Sequence, residues 1–108
     1  MELNKKKCVS CEGGMPPLNE GEIKELLKHV DGWEAEDAIL SKQFDFGDFR
    51  EAMGFVNKVA EVAESEGHHP DIQIHYKQVI IELWTFKIDG LFDNDFILAA
   101  KIDELASK

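Results

Sequence analysis

The chain has 108 residues, 44% apolar and 31% charged, which fits one globular domain whose core needs no disulfide or metal to hold it. Its formal net charge of -10 argues against nucleic acid and anionic membrane as partners, because both require a basic surface. No apolar run reaches the length of a membrane span, and the start Met1-Glu2-Leu3-Asn4-Lys5-Lys6-Lys7 lacks the apolar stretch of a secretion signal, so a cytoplasmic location is expected.

Residues 1–17 read as a flexible arm rich in charge, glycine and proline, ahead of a domain over 18–108. The arm carries Cys8 and Cys11 as a Cys-x-x-Cys. A zinc site needs about four ligands, and a redox dithiol normally opens a helix. Neither condition is met, so two reduced thiols are expected, with no metal.

After Pro16-Pro17, Asn19 and Glu22 have the spacing of a capping box. Ile23, Leu26, Leu27 and Val30 then share one helical face, with Gly32 as the expected stop. Trp33 to Phe46 has the character of two strands joined by a turn or bulge, with Ile39, Leu40, Phe44 and Phe46 among short polar residues. Asp48 and Glu51 repeat the capping spacing. Behind them Phe49, Met53, Val56, Ala60 and Ala63 form the stripe of a long helix, widened by Ala52, Phe55, Val59 and Val62 and wide enough to cover a sheet.

Gly67 ends that helix, and His68-His69-Pro70 follows. Ile72, Ile74 and Tyr76 alternate, as do Val79, Ile81, Leu83 and Thr85, around an expected turn at Lys77-Gln78 that sets Tyr76 opposite Val79. All seven then face the helices. The opposite face carries Ile80, Trp84 and Phe86, apolar enough to imply a partner subunit or a ligand. After Gly90-Leu91, Asp93 or Asn94 caps a last helix with Leu98, Ile102 and Leu105 as its buried stripe. The order α-β-β-α-β-β-α specifies an α+β fold, a four-stranded antiparallel sheet with three helices on one face.

The chemistry concentrates at His68-His69. Histidine titrates at about 6.5 when unperturbed, so it can give or take a proton near neutral pH. A pair of them on a short, proline-stiffened connection between a helix and a strand points to acid–base work; the plain alternative is an exposed polar linker.

Glu64, then His68-His69-Pro70, then Tyr76, then Gly90-Leu91 ahead of Asp95-Phe96, resembles the pterin-4a-carbinolamine dehydratases, also called 4a-hydroxytetrahydrobiopterin dehydratases. The resemblance runs from about Leu18 to the C-terminus and includes Phe96-Ile97-Leu98-Ala99-Ala100-Lys101-Ile102. It implies homodimers or homotetramers, no cofactor and no metal, and in animals a second role as a coactivator that stabilises a transcription-factor dimer. The implied reaction removes water from the 4a-hydroxyl of a tetrahydropterin carbinolamine and gives the quinonoid dihydropterin. Hydroxide leaves poorly, so an acid must protonate it while N5 gives up its proton, and histidine can do either.

The resemblance assigns proton transfer to His68 and pterin binding to His69 as well as a share in catalysis. It places Glu64, Pro70, Tyr76, Phe86 and Asp95 around the substrate. Glu64, one turn before His68, could hold that ring's tautomer or be a solvated acid. Asp95 is equally a helix cap, and Tyr76 equally a core aromatic. One departure stands out: the family's third histidine, after a strand threonine, is here Phe86 after Thr85. That leaves open a non-catalytic pterin-binding or protein-interaction module, or a dehydratase for a different pterin.

Overall fold

The computed structural model describes Leu3, residues 16–85, Ile88 and residues 90–106. Cys8, Cys11 and Phe86 lie outside the described residues. The elements run α1 (Glu20–Leu27), β1 (Glu34–Glu36), β2 (Ile39–Asp45), α2 (Phe49–Glu66), β3 (Asp71–His75), β4 (Gln78–Leu83) and α3 (Asp93–Ala106). The strands form one antiparallel sheet in the order β1-β2-β4-β3. This is the expected α+β architecture. No helix among the described residues is long and apolar enough to cross a membrane.

Alternation along the strands puts Leu40 and Phe44 of β2 and Val79, Ile81 and Leu83 of β4 on one face, buried against α2 and α3. Phe55 of α2 stacks at 4.8 Å on Phe44 and at 5.0 Å on Phe46, and Trp33 meets Phe44 edge-on at 6.0 Å. Leu3, inside the segment expected to be a flexible arm, is also buried in this core. A polar clamp ties the far half of α3 to the sheet. Trp33 Nε1 donates to both carboxylate oxygens of Asp103 at 3.0 Å, and Lys42 Nζ donates to Asp103 Oδ1 at 2.8 Å and to the Asp31 carbonyl at 2.6 Å.

The Asn19–Glu22 capping box forms as expected. The helix it starts ends at Leu27, well short of Gly32, because the next N–H groups fall back three residues: His29 N–H to Leu26 O at 2.9 Å and Val30 N–H to Leu27 O at 3.4 Å. Gly32, at φ +79°, instead turns the chain into β1. Asp48 caps α2 through Glu51 N–H, but Glu51 returns its carboxylate to Gly47 N–H. The buried line of α2 is Ala52, Phe55, Val59 and Ala63, not the stripe through Phe49 and Ala60; Phe49 is half exposed because it sits on the first turn, beyond the sheet's cover.

The β3–β4 hairpin also differs in register. His75 pairs with Gln78 and Ile74 with Val79, so the turn is Tyr76-Lys77. The shift is two residues, so the residues that remain in the strands keep their pleat side, but Tyr76 leaves the strand for the turn and Ile74 is exposed, so these two do not join the buried face as expected. Tyr76 takes φ +58°, and the Lys77 carbonyl thereby accepts Phe46 N–H at 2.9 Å, joining the turn to the end of β2. The β1–β2 turn, Asp37-Ala38, has positive φ at both positions, the twist that suits a two-residue hairpin.

Candidate functional site

Gly67 adopts the left-handed conformation at φ +66° and closes α2, with its N–H directed to the Ala63 and Glu64 carbonyls. His68 N–H also returns to Ala63 O, at 3.2 Å. These bonds fold the chain back under the helix end, and they explain why the two adjacent histidines have different environments. The His68 side chain is 12% exposed and the His69 side chain 59%.

His68 Nε2 and Oδ1 of Asp95 share a hydrogen bond of 2.6 Å. Asp95 is fully buried, in the first turn of α3. Its other oxygen, Oδ2, accepts from the Thr85 hydroxyl at 2.9 Å and from the Phe92 backbone N–H at 3.0 Å. A buried carboxylate is tolerated only where donors surround it, and here a side-chain imidazole, a hydroxyl, a backbone N–H and the positive end of a helix converge. Asp95 therefore caps the helix start, one of the two readings the sequence leaves open, and the same carboxylate contacts His68. The helix starts at Asp93, so Asp93 and Asn94 lie inside it and Phe92 holds the N-cap position; Asp95, at the third helical position, accepts the Phe92 N–H as the returning half of a capping box.

Two donors of fixed direction, the Thr85 hydroxyl and the Phe92 N–H, already sit on Oδ2, and an ionised carboxylate can only accept, so as a carboxylate Asp95 takes the proton of the pair from His68 Nε2. In the neutral ring Nδ1 then carries the lone pair. This is the arrangement in which a carboxylate fixes the tautomer of an acid–base histidine.

Glu64 does not hold His68. Its Oε1 accepts from His69 Nε2 at 2.7 Å, on the surface, where the Glu64 side chain is 79% exposed. The expected pairing is displaced by one residue because Gly67 turns His68 inward and leaves His69 on the helix's outer side. Pro70 is half buried and closes the connection before β3. Tyr76 is not brought to the histidines. It lies at the far end of β3, a strand of five residues or roughly 16 Å at about 3.3 Å each, and it is two-thirds exposed. Phe86 follows Thr85 in a stretch outside the described residues.

Thr85 joins this network without being singled out by the sequence pattern. Alternation sets it on the helix-facing side, where a hydroxyl must find a partner. The signal was present: a threonine ending an otherwise aliphatic alternation. Among the described residues no buried side-chain polar atom lacks a hydrogen bond, and Thr85 obeys that rule through Asp95. A cavity of about 400 Å³ between α1 and the β1–β2 hairpin, with Ile23, Leu27 and Ala35 among its walls, is bounded by none of these groups.

The family profile described as Pterin 4 alpha carbinolamine dehydratase matches residues 16–105. A Methylococcus capsulatus protein named "Putative pterin-4-alpha-carbinolamine dehydratase" is 50% identical over 108 residues, 98% of this chain and 95% of that protein. A Rickettsia bellii protein of the same name is 50% identical over 105 residues, 95% of this chain and 93% of its own length. Among solved structures, a transcriptional coactivator/pterin dehydratase from Brucella melitensis superimposes with a TM-score of 0.80 at 34% identity, over 83% of this chain and 98% of that one. A pterin dehydratase-like protein identified as a RuBisCO assembly factor in the alpha-carboxysome matches with a TM-score of 0.60 at 27% identity, over 70% of this chain and 88% of that one.

Proposed function

The chain belongs to the pterin 4 alpha carbinolamine dehydratase family, and on that premise we propose that it dehydrates a 4a-hydroxytetrahydropterin by acid–base catalysis at His68 and His69. The C4a–O bond breaks as its oxygen is protonated and leaves as water. N5 loses its proton, its electron pair forms the N5=C4a bond, and the quinonoid dihydropterin results. Water is the sole by-product, and neither an oxidant nor a reductant is required.

The observation that most supports this is the His68–Asp95 hydrogen bond. It presents Nδ1 as the atom that exchanges a proton with substrate, while Asp95 stabilises the imidazolium that forms in between. General acid–base catalysis of this kind contributes about 10²–10⁴-fold. His69, exposed and steadied by Glu64, binds the pterin and serves the second proton. Stopped-flow dehydration of freshly made 4a-hydroxytetrahydropterin, with and without protein, tests the activity. A catalysed rate equal to the spontaneous one sinks it.

A second function has specific support. One structural neighbour is identified as a RuBisCO assembly factor and another is a transcriptional coactivator/pterin dehydratase, and position 86 holds phenylalanine where the resemblance implies a histidine. On this alternative the chain binds pterin or protein without turnover. In either case a homo-oligomer is proposed. Ile39 and Ile80 are half buried on the sheet face away from the helices, and a second copy would cover them.

A further inference from the structure

Beyond the histidines, we propose that Thr85 is a positioning residue for proton transfer at His68, acting through Asp95; this rests on the dehydratase function proposed above. Thr85 itself touches no substrate in this scheme. Its effect is on which ring nitrogen of His68 holds the proton.

Three features carry the assignment. The first is that the Thr85 backbone is hydrogen-bonded on both sides. Its N–H donates to Gly90 O at 2.9 Å, and its carbonyl accepts from Ile88 N–H at 3.2 Å and from Gly90 N–H at 3.4 Å. The Gly90–Leu91 turn is pinned in its turn: Leu18 N–H donates to Leu91 O at 2.9 Å, and a Cβ on Gly90 would stand 2.6 Å from Pro17 Cβ. A hydroxyl on a backbone bonded in this way can set the orientation of what it touches.

The second is the division of labour on Asp95. Phe92 N–H lies on the same helix start as Asp95 and fixes one point of the carboxylate. A carboxylate held at one point still rotates about its Cβ–Cγ bond, a broad torsion. The Thr85 hydroxyl comes from a different element, the end of the sheet, and supplies the second point on Oδ2. With Oδ2 held twice, Oδ1 is left facing His68 Nε2.

The third is burial. Thr85 is 5% exposed and Asp95 is 0% exposed, so water is not at hand to replace a lost donor on Oδ2. Removing the hydroxyl lets Oδ1 turn toward Phe92 N–H, the His68 bond weakens, and the proton redistributes between Nδ1 and Nε2.

The test compares Thr85→Val, which keeps the shape and loses the donor, with Thr85→Ser, which keeps the donor. Protein labelled with ¹⁵N-histidine reports the tautomer of each ring, and His68→Gln assigns the His68 signals. The expected result is a single Nε2–H tautomer in the wild type and in Thr85→Ser, and a mixture in Thr85→Val. Alongside, kcat should fall about tenfold in Thr85→Val with KM little changed, the size of one lost hydrogen bond to a charged group, and stay within about twofold in Thr85→Ser. If Thr85→Val does not fold, Thr85→Ala takes its place. An unchanged His68 tautomer in the variant without a donor, or equal damage in Thr85→Ser, overturns the assignment. A wild type with no dehydratase activity would instead overturn the proposed function, while the tautomer comparison still decides the role of Thr85.

Discussion

His68 and Asp95, 27 positions apart in the chain, meet through a 2.6 Å hydrogen bond with the aspartate fully buried. The contact joins the end of α2 to the start of α3 and makes one histidine of an adjacent pair chemically distinct from the other.

His68→Ala should slow carbinolamine dehydration by roughly 10²-fold or more, because it removes the group proposed to transfer the proton. It should also cost about 1–3 kcal/mol of stability, since Asp95 Oδ1 is left buried without its donor. Stopped-flow rates and urea unfolding check the two effects. A variant as fast as the wild type would move the chemistry elsewhere.

Asp95→Asn separates the capping and tautomer roles. An amide can present only one accepting oxygen, whereas Thr85, Phe92 and His68 all donate. A loss of about 1–3 kcal/mol is expected together with at least a roughly tenfold fall in kcat. Lost stability with full activity would reduce Asp95 to a helix cap.

Glu64→Gln should leave stability within about 1 kcal/mol, because the Glu64–His69 pair is surface exposed and such pairs contribute little. Its effect should appear in pterin affinity more than in kcat. A large fall in kcat with unchanged affinity would assign Glu64 to the chemistry.

Phe86→His addresses the departure from the family pattern. If a proton-transfer position was lost there, the variant should dehydrate faster, with the gain varying around pH 6.5 or so, the ordinary imidazole value. If the chain is a binding module, pterin affinity should hold and turnover should stay flat. Comparing both quantities from about pH 5.5 to 8.5 separates the outcomes on the side of the imidazole where the gain appears.

The proposed oligomer is checked by light scattering at micromolar concentration. A dimer or larger assembly is expected, weakened by Ile80→Glu, which sets a charge on the sheet face away from the helices. A wild-type monomer would leave that face as ordinary surface.

The sequence by itself determined the elements, their order and the sheet faces. Those depend on local signals: the Asn19 and Asp48 caps, the left-handed Gly67, and alternation through Val79, Ile81 and Leu83. It also singled out His68, His69 and Asp95 through their resemblance to a family pattern. Which carboxylate serves which histidine was decided by the fold alone. Spacing along α2 made Glu64 the natural partner of His68, but a single φ of +66° at Gly67 turned that ring inward to Asp95. The turn at Tyr76-Lys77 is settled the same way, by a bond from Phe46 that strand periodicity cannot register. Thr85 shows the limit most plainly. Its strand position predicted burial, but the partner that gives its hydroxyl a purpose lies on another element, and a hydrogen bond between elements depends on three-dimensional packing that no local spacing encodes.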